Sequence, residues 1–270
     1  MDMDEQRDSV KSIGSVVVVG SGNVAEAFAL AVADCWGVEL RQVVARNAER
    51  AAQIAAMAGC EWSDEFDEVE DADLYIIAVS DRAVEEVAER LRCPEGSIVV
   101  HTAGSVGIEA LGEERCGVLY PFQTFTAGRR VDFSEVPLFV EGCDEAIAEQ
   151  IEAFANLLSS RVYRASASRR REIHLCGVFA CNFVNALYSM AADRLAESEA
   201  LPFDVLRPLI VETAAKAVEA EHPRQVQTGP AVRGDKAVAD RHKSMLDGEV
   251  QHALYELLDR YIFETCHKKD

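Results

Sequence analysis

Ser15-Val16-Val17-Val18-Val19-Gly20-Ser21-Gly22-Asn23-Val24-Ala25 decides the reading of the chain. Four valines make a short β-branched apolar run, as a strand buried on both faces requires. The run ends in Gly-Ser-Gly. A helical pattern follows at once with Ala25, Ala27, Phe28, Ala29, Leu30, Ala31 and Val32. Strand, tight turn and helix in this order fit the fingerprint G-x-G-x-x-G/A, with Gly20, Gly22 and Ala25 at its small positions. Gly20 permits the sharp turn. Gly22 lets a pyrophosphate approach the backbone, and Ala25 lets the helix pack close to the strand. The helix start, Ser21 to Val24, offers N–H groups and the positive end of a dipole to phosphates.

Working outward, Leu40 to Ala45 reads as a second strand, and its end selects the cofactor. An Asp or Glu about 20 residues past the fingerprint serves the ribose hydroxyls in NAD-binding folds. Arg46 and Asn47 stand there instead. A guanidinium pairs with a 2′-phosphate, which favours NADP over NAD. Arg50 is a candidate second phosphate contact; the alternative is a solvated helix start with incidental arginines.

Further strands are expected at 60–62, 74–79, 97–100, 137–140 and 161–163, with helices at 47–58, 84–91 and 144–159. This alternation defines an α/β, Rossmann-like, doubly wound and mainly parallel sheet. Val79 and Ser80 close a central apolar strand, and His101 and Thr102 close the next. Strand carboxyl ends are where such sheets bind ligands, so these four are cofactor candidates. His101 suits a satisfied strand-end anchor better than a proton donor. Tyr120-Pro121-Phe122-Gln123-Thr124-Phe125 supplies aromatics and a polar pair for the nicotinamide or substrate side, with Gln123 a substrate candidate.

After Ser166 the strand-like alternation stops and long helices begin, interrupted near Pro202 and Pro208. The expected division is a dinucleotide-binding domain over 1–165, with 1–13 a loose tail, and a smaller all-helical domain over 166–270. Val178, Asn182 and Asn185 follow His174 by four, eight and eleven positions, which is one stripe at 3.6 residues per turn. Polar groups on an otherwise apolar helix need partners, and a polar cleft between the domains is one solution. His174 is the candidate proton donor, with Asn182 and Asn185 orienting a substrate. Thr228, Arg233 and Asp235 lie in the polar, glycine-broken loop Gln227 to Asp235. Arg233 suits a carboxylate or phosphate there.

The net charge of −20 argues against a nucleic-acid partner. The eight cysteines show no C-x-x-C and no zinc spacing, so no metal is expected, and buried free thiols suit a reducing compartment. The acidic N-terminus lacks the regions of a signal peptide. No apolar run in the sequence approaches the about 20 residues of a membrane span. A cytoplasmic protein is expected, dimeric through the apolar stripes of its helical half.

The chain resembles a family that joins a Rossmann-like NADP-binding half to an all-helical domain of unknown function. The residues carrying the resemblance are Gly20 to Ala25, His101 to Gly104, Tyr120 to Phe125, His174 through Asn182, and Thr228 to Asp235 with His242. Tyr120 is a departure, since many relatives carry histidine before the proline. More distantly the chain is similar to pyrroline-5-carboxylate reductase and to the 6-phosphogluconate dehydrogenase superfamily. There the helix after the Rossmann domain presents a Lys and an Asn four apart; this chain lacks that lysine. The resemblance implies NADP binding and no known substrate; the function expected from the residues is an NADP(H)-dependent oxidoreductase moving a hydride to or from a carbonyl or imine carbon of a small metabolite. A non-catalytic NADP-binding sensor stays open, as does a deazaflavin hydride partner.

Overall fold

The computed structural model describes residues 12–112, 114–199 and 201–268. The expected tail at 1–13 lies outside these except for Ser12 and Ile13, and Ile13 is buried in the core. The chain divides into two compact units, one ending at Asn185 and one starting at Ala186. The sheet ends at Arg164, whereas the first unit runs on past residue 165 to Asn185.

The first unit is built on one sheet of eight strands in the order β3-β2-β1-β4-β5-β6-β7-β8. The strands are β1 (Ser15–Val19), β2 (Glu39–Val44), β3 (Glu61–Ser63), β4 (Leu74–Ile77), β5 (Ile98–His101), β6 (Cys116–Pro121), β7 (Leu138–Gly142) and β8 (Val162–Arg164). All neighbours pair in parallel except β6 and β7, which are antiparallel. The helices are α1 (Asn23–Ala33), α2 (Ala48–Ala58), α3 (Val84–Arg90) and α4 (Glu145–Leu158).

The valines of β1 explain why the sheet is covered on both faces. Successive strand side chains point to opposite faces. Val16 and Val18 enter one core with Phe28 and Ala29 of α1, Ile54 of α2 and Phe154 of α4. Val17 and Val19 enter the other with Tyr75, Ile77 and the α3 residues Val84, Val87 and Ala88. Truncating a fully buried aromatic such as Phe28 to alanine would cost about 3–5 kcal/mol. β2 and β4 flank β1 on opposite sides, so the chain reverses its direction of travel across the sheet there. Such a switch point leaves a crevice at the strand carboxyl ends.

Beyond the sheet come α5 (Ala167–Gly177), a π-helical turn (Val178–Phe183) and α6 (Val184–Glu199). The remaining helices are α7 (Arg207–Glu219), α8 (Lys236–Ser244) and α9 (Glu249–His267). Two expectations change here. The helical stretch Ala167–Glu197 is long and apolar enough to cross a membrane, by length and composition only, so the chain does hold an apolar run of that size. Buried thiols are also the exception: among the eight free cysteines Cys116 is buried, while Cys143, Cys176 and Cys181 are exposed.

The second unit buries little of its apolar surface. Leu209 is 64% exposed, Val218 85% and Tyr261 64%, and Ala239 is its one buried hydrophobic among the described residues.

Candidate active site

The crevice begins at the glycine turn. Gly20 has φ +138°, and a Cβ there would lie 2.2 Å from the Ala78 carbonyl oxygen. That close approach brings the end of β1 against the end of β4, and no side chain fits between them. A Cβ on Gly22 would meet nothing within 4 Å. Gly22 is also the N-cap of α1 and supplies no side chain to it. The first intrahelical bond runs from the Glu26 N–H to the Gly22 carbonyl at 3.0 Å. The N–H groups of Asn23, Val24 and Ala25 therefore have no helical acceptor. Open space before an uncapped helix start fits a pyrophosphate.

This turn is one wall of a cavity of about 790 Å³. Gly20 to Val24 line it, with Arg46 and Asn47 after β2 and Val79 and Ser80 after β4. Tyr120 and Phe122 to Phe125 contribute from the end of β6. The helical side comes from His174, Gly177, Val178, Ala180, Cys181 and Asn182. Its size suits a bound organic ligand, and the strand ends, helix start and second helix converge on it.

At one end Arg46 is two-thirds exposed and sits 3.8 Å from Glu86, a loose surface pair. Its guanidinium therefore remains available to an anion. Asn47 lines the cavity too, but its side chain accepts the Arg50 N–H at 3.0 Å and caps α2. Arg50 is not placed as expected: its guanidinium is bonded to the buried carboxylate of Glu26 and is not among the lining residues. A phosphate there would have to displace a partly buried ion pair.

At the other end the Tyr120 hydroxyl is 3.1 Å from His174 Nδ1. Tyr120 is buried, and its phenol is pushed up to about 12, first by burial and then by the Asp81 charge. Arg170 anchors the helix carrying His174. Its fully buried guanidinium donates to the carbonyls of Ala165 and Val106 at 2.9 Å and pairs with Glu141. Phe122 packs where a Cβ on Gly177 would be, 2.7 Å from the ring, so the helix lies tight against the end of β6.

Asn182 lines the cavity, whereas Asn185 does not. The π turn Val178–Phe183, which holds Asn182 and ends before Asn185, explains this. Bonding i to i+5 inserts a residue into the turn, so positions beyond it leave the 3.6-residue stripe. π turns are common at functional sites, and this one supplies Val178, Ala180, Cys181 and Asn182 to the wall.

His101 and Thr102 lie outside the lining. His101 is fully buried; Nε2 lies 3.2 Å from the Gly107 carbonyl, and Nδ1 accepts the Ala103 N–H at 3.2 Å. Burial holds its imidazole down at about 4, so it is a neutral anchor of the loop after β5. Thr102 is buried and donates its N–H to the Ile77 carbonyl at 3.1 Å. Gln123 lines the cavity. Thr228, Arg233 and Asp235 belong to the second unit. Thr228 lines an apolar cavity of about 480 Å³ there, Arg233 is exposed, and Asp235 caps α8 through the Val238 N–H at 3.2 Å. Among the described residues no cluster of His, Cys, Asp or Glu has metal-binding geometry.

Gly177, Ala180 and Cys181 line the wall without having been given a site role in the sequence, and the role of Gly104, whose missing Cβ makes room for Tyr120 and His174, was not seen there either. Gly104 acts through Tyr120 and His174, which are remote from it in the chain, so neighbouring residues do not reveal what it does.

Fold and crevice together define a Rossmann-type dinucleotide-binding protein. Residues 15–104 match the family model "NADP oxidoreductase coenzyme F420-dependent", and residues 136–262 match a domain of unknown function, DUF2520. A Bacteroides fragilis protein described as a "putative NADP oxidoreductase" is 39% identical over 95% of this chain and 100% of its own, with TM-score 0.83. The chain belongs to this NADP oxidoreductase family. A Thermotoga maritima protein shares the fold at TM-score 0.77 and 19% identity, covering 94% of this chain and 100% of its own. An imine reductase from Myxococcus stipitatus, solved with NADP+, shares it at TM-score 0.56 and 15% identity, covering 93% of this chain and 92% of its own. No curated protein matches the chain.

Proposed function

We propose that the protein is an NADP(H)-dependent oxidoreductase that moves a hydride to or from a carbonyl or imine carbon of a small metabolite. The observation carrying this reading is the single cavity that joins the open glycine turn, Arg46 and the Ser80 strand end to Tyr120, His174 and Asn182. The adenosine phosphates belong at the turn, the 2′-phosphate at Arg46 and the nicotinamide toward Ser80 and the β6 end. The bound cofactor supplies the hydride, and the protein supplies position and electrostatics. His174 gives the proton and Asn182 orients the substrate. Family membership and the folds shared with pyrroline-5-carboxylate reductases and the imine reductase support the imine as a substrate class.

The poorly covered second unit supports a homodimer. Sedimentation at micromolar concentration tests it: a dimer is expected, and a monomer across the range rejects it.

The function is tested by titrating NADPH and NADH, then following nicotinamide absorbance with a panel of keto acids and cyclic imines. Tighter binding of NADPH and oxidation by at least one class are expected. Tight NADPH binding without oxidation by any compound would favour the cofactor-sensing alternative, which the missing lysine on the α5 helix also suits. Full turnover by His174→Ala would remove His174 as the donor.

A further inference from the structure

The contact between Tyr120 and His174 is held from three sides. Tyr120 is the next-to-last residue of β6, so the sheet fixes its backbone. Phe122 and Phe139 flank its ring, each with centroids 6.3 Å away. Gly104 closes the third side. A Cβ there would lie 2.8 Å from Tyr120 Cζ and 3.1 Å from His174 Nδ1. The two rings are 6.2 Å apart at 58°, so they meet hydroxyl to nitrogen and do not stack.

The Tyr120 hydroxyl lies in a part-buried contact at the cavity wall, where an unmet hydroxyl costs free energy and the phenol proton needs a destination. Among the described residues His174 Nδ1 is the acceptor within reach of Tyr120. Asp81, whose charge helps to raise the phenol, accepts from the Ser105 hydroxyl. The alternative tautomer, with hydrogen on Nδ1, would point the ring N–H at the phenol and leave the phenol proton no described acceptor.

We propose that Tyr120 is the positioning residue that fixes His174 as the Nε2–H tautomer, so that Nε2 is the proton-giving atom of the site. Gly104 is the gap that admits this pair. The inference rests on the redox reading above only for what happens next. A bound reduced nicotinamide would supply the hydride for the new C–H bond, and the carbonyl π pair would then move onto oxygen. The oxygen takes the Nε2 proton as Nδ1 takes the phenol proton; after product leaves, a solvent proton enters at Nε2 and Nδ1 returns its proton to the phenolate, which restores both the Nε2–H tautomer and the phenol. For an imine, nitrogen replaces oxygen. The ring never has to become an imidazolate, because protons leave and enter it on opposite nitrogens.

The tautomer can be read without any substrate. In protein labelled with ¹⁵N-histidine, long-range ¹H–¹⁵N correlation at a pH two units above the usual imidazole value of about 6.5 distinguishes the two nitrogens. His174→Gln identifies the signals by their loss. The wild-type spectrum is expected to show a protonated Nε2 and an unprotonated Nδ1 for His174, with or without NADP+. Tyr120→Phe is expected to mix the tautomers. A wild-type Nδ1–H tautomer overturns the proposal, and so does an unchanged tautomer in Tyr120→Phe. The wild-type spectrum decides even where a variant fails to fold. If turnover is found, Tyr120→Phe should lose about ten- to a hundredfold in kcat, with KM within about threefold. An unchanged kcat removes the relay. A correct tautomer with no turnover of any compound rejects the redox reading alone.

Discussion

Arg50 of α2 is bonded to the carboxylate of Glu26, buried on α1. The other Glu26 oxygen accepts the Gly128 N–H at 2.9 Å, so one carboxylate ties two helices to the loop after Phe125. Removing the cation strands a buried charge. Arg50→Gln should destabilise the first unit by roughly 1–3 kcal/mol, less than a fully buried pair because Arg50 is part-exposed. NADPH affinity of the folded variant should stay within about threefold. Urea unfolding and NADPH titration check both, and a tenfold loss of affinity would return Arg50 to a phosphate role.

Gly20 and Gly22 are two residues apart and should fail differently. Gly20→Ala places a Cβ 2.2 Å from the Ala78 carbonyl oxygen at φ +138°. Backbone strain and steric clash together should cost on the order of 2–4 kcal/mol. Gly22→Val meets open space. It should keep nearly wild-type unfolding and lose NADPH binding by about tenfold or more, because the side chain fills the phosphate position. Equal unfolding midpoints for the two variants would contradict this assignment.

Arg46 is exposed, loosely paired and at the cavity wall. Arg46→Asp should weaken NADPH by about tenfold or more and NADH by less than about threefold, since only the former carries the 2′-phosphate. Equal losses, or none, would take Arg46 out of that role.

His101 predicts an acid limit on stability. Its folded value of about 4 lies below the ordinary 6.5, chiefly through burial. Between these values the unfolded chain binds the extra proton, so stability rises with pH across the window. The contribution is intact above about pH 6.5, falls toward pH 4, and is at most on the order of 3 kcal/mol. Urea midpoints from pH 7.5 down to 4.5 should fall in the wild type and fall less in His101→Gln. Parallel curves would show that another group governs the acid limb.

Much of the first unit was legible because its signals are local. Ser15 to Ala25 carry strand, turn and helix in consecutive residues, and β4 and β5 announce themselves as unbroken apolar runs. The stripe from His174 was legible only as far as Asn182. Helical spacing assumes uniform bonding, and the π turn changes the phase before Asn185. Arg50 was misplaced for a related reason. Its charge is visible in the chain, but Glu26 lies 24 positions earlier, and only packing α1 on α2 brings them together.

The sequence by itself determined the class of fold and singled out the glycine turn and Arg46 as the proposed phosphate positions, since glycine spacing, strand hydrophobicity and the arginine after β2 are properties of neighbouring residues. Tertiary structure decided what each polar group is bonded to. It committed Arg50 to Glu26 and His101 to the backbone, left Arg46 at the cavity wall, and brought Tyr120 to His174 across 54 positions through the space Gly104 leaves. Hydrogen bonds depend on distances of about 3 Å, and such distances between remote residues exist only once the sheet and its helices have packed.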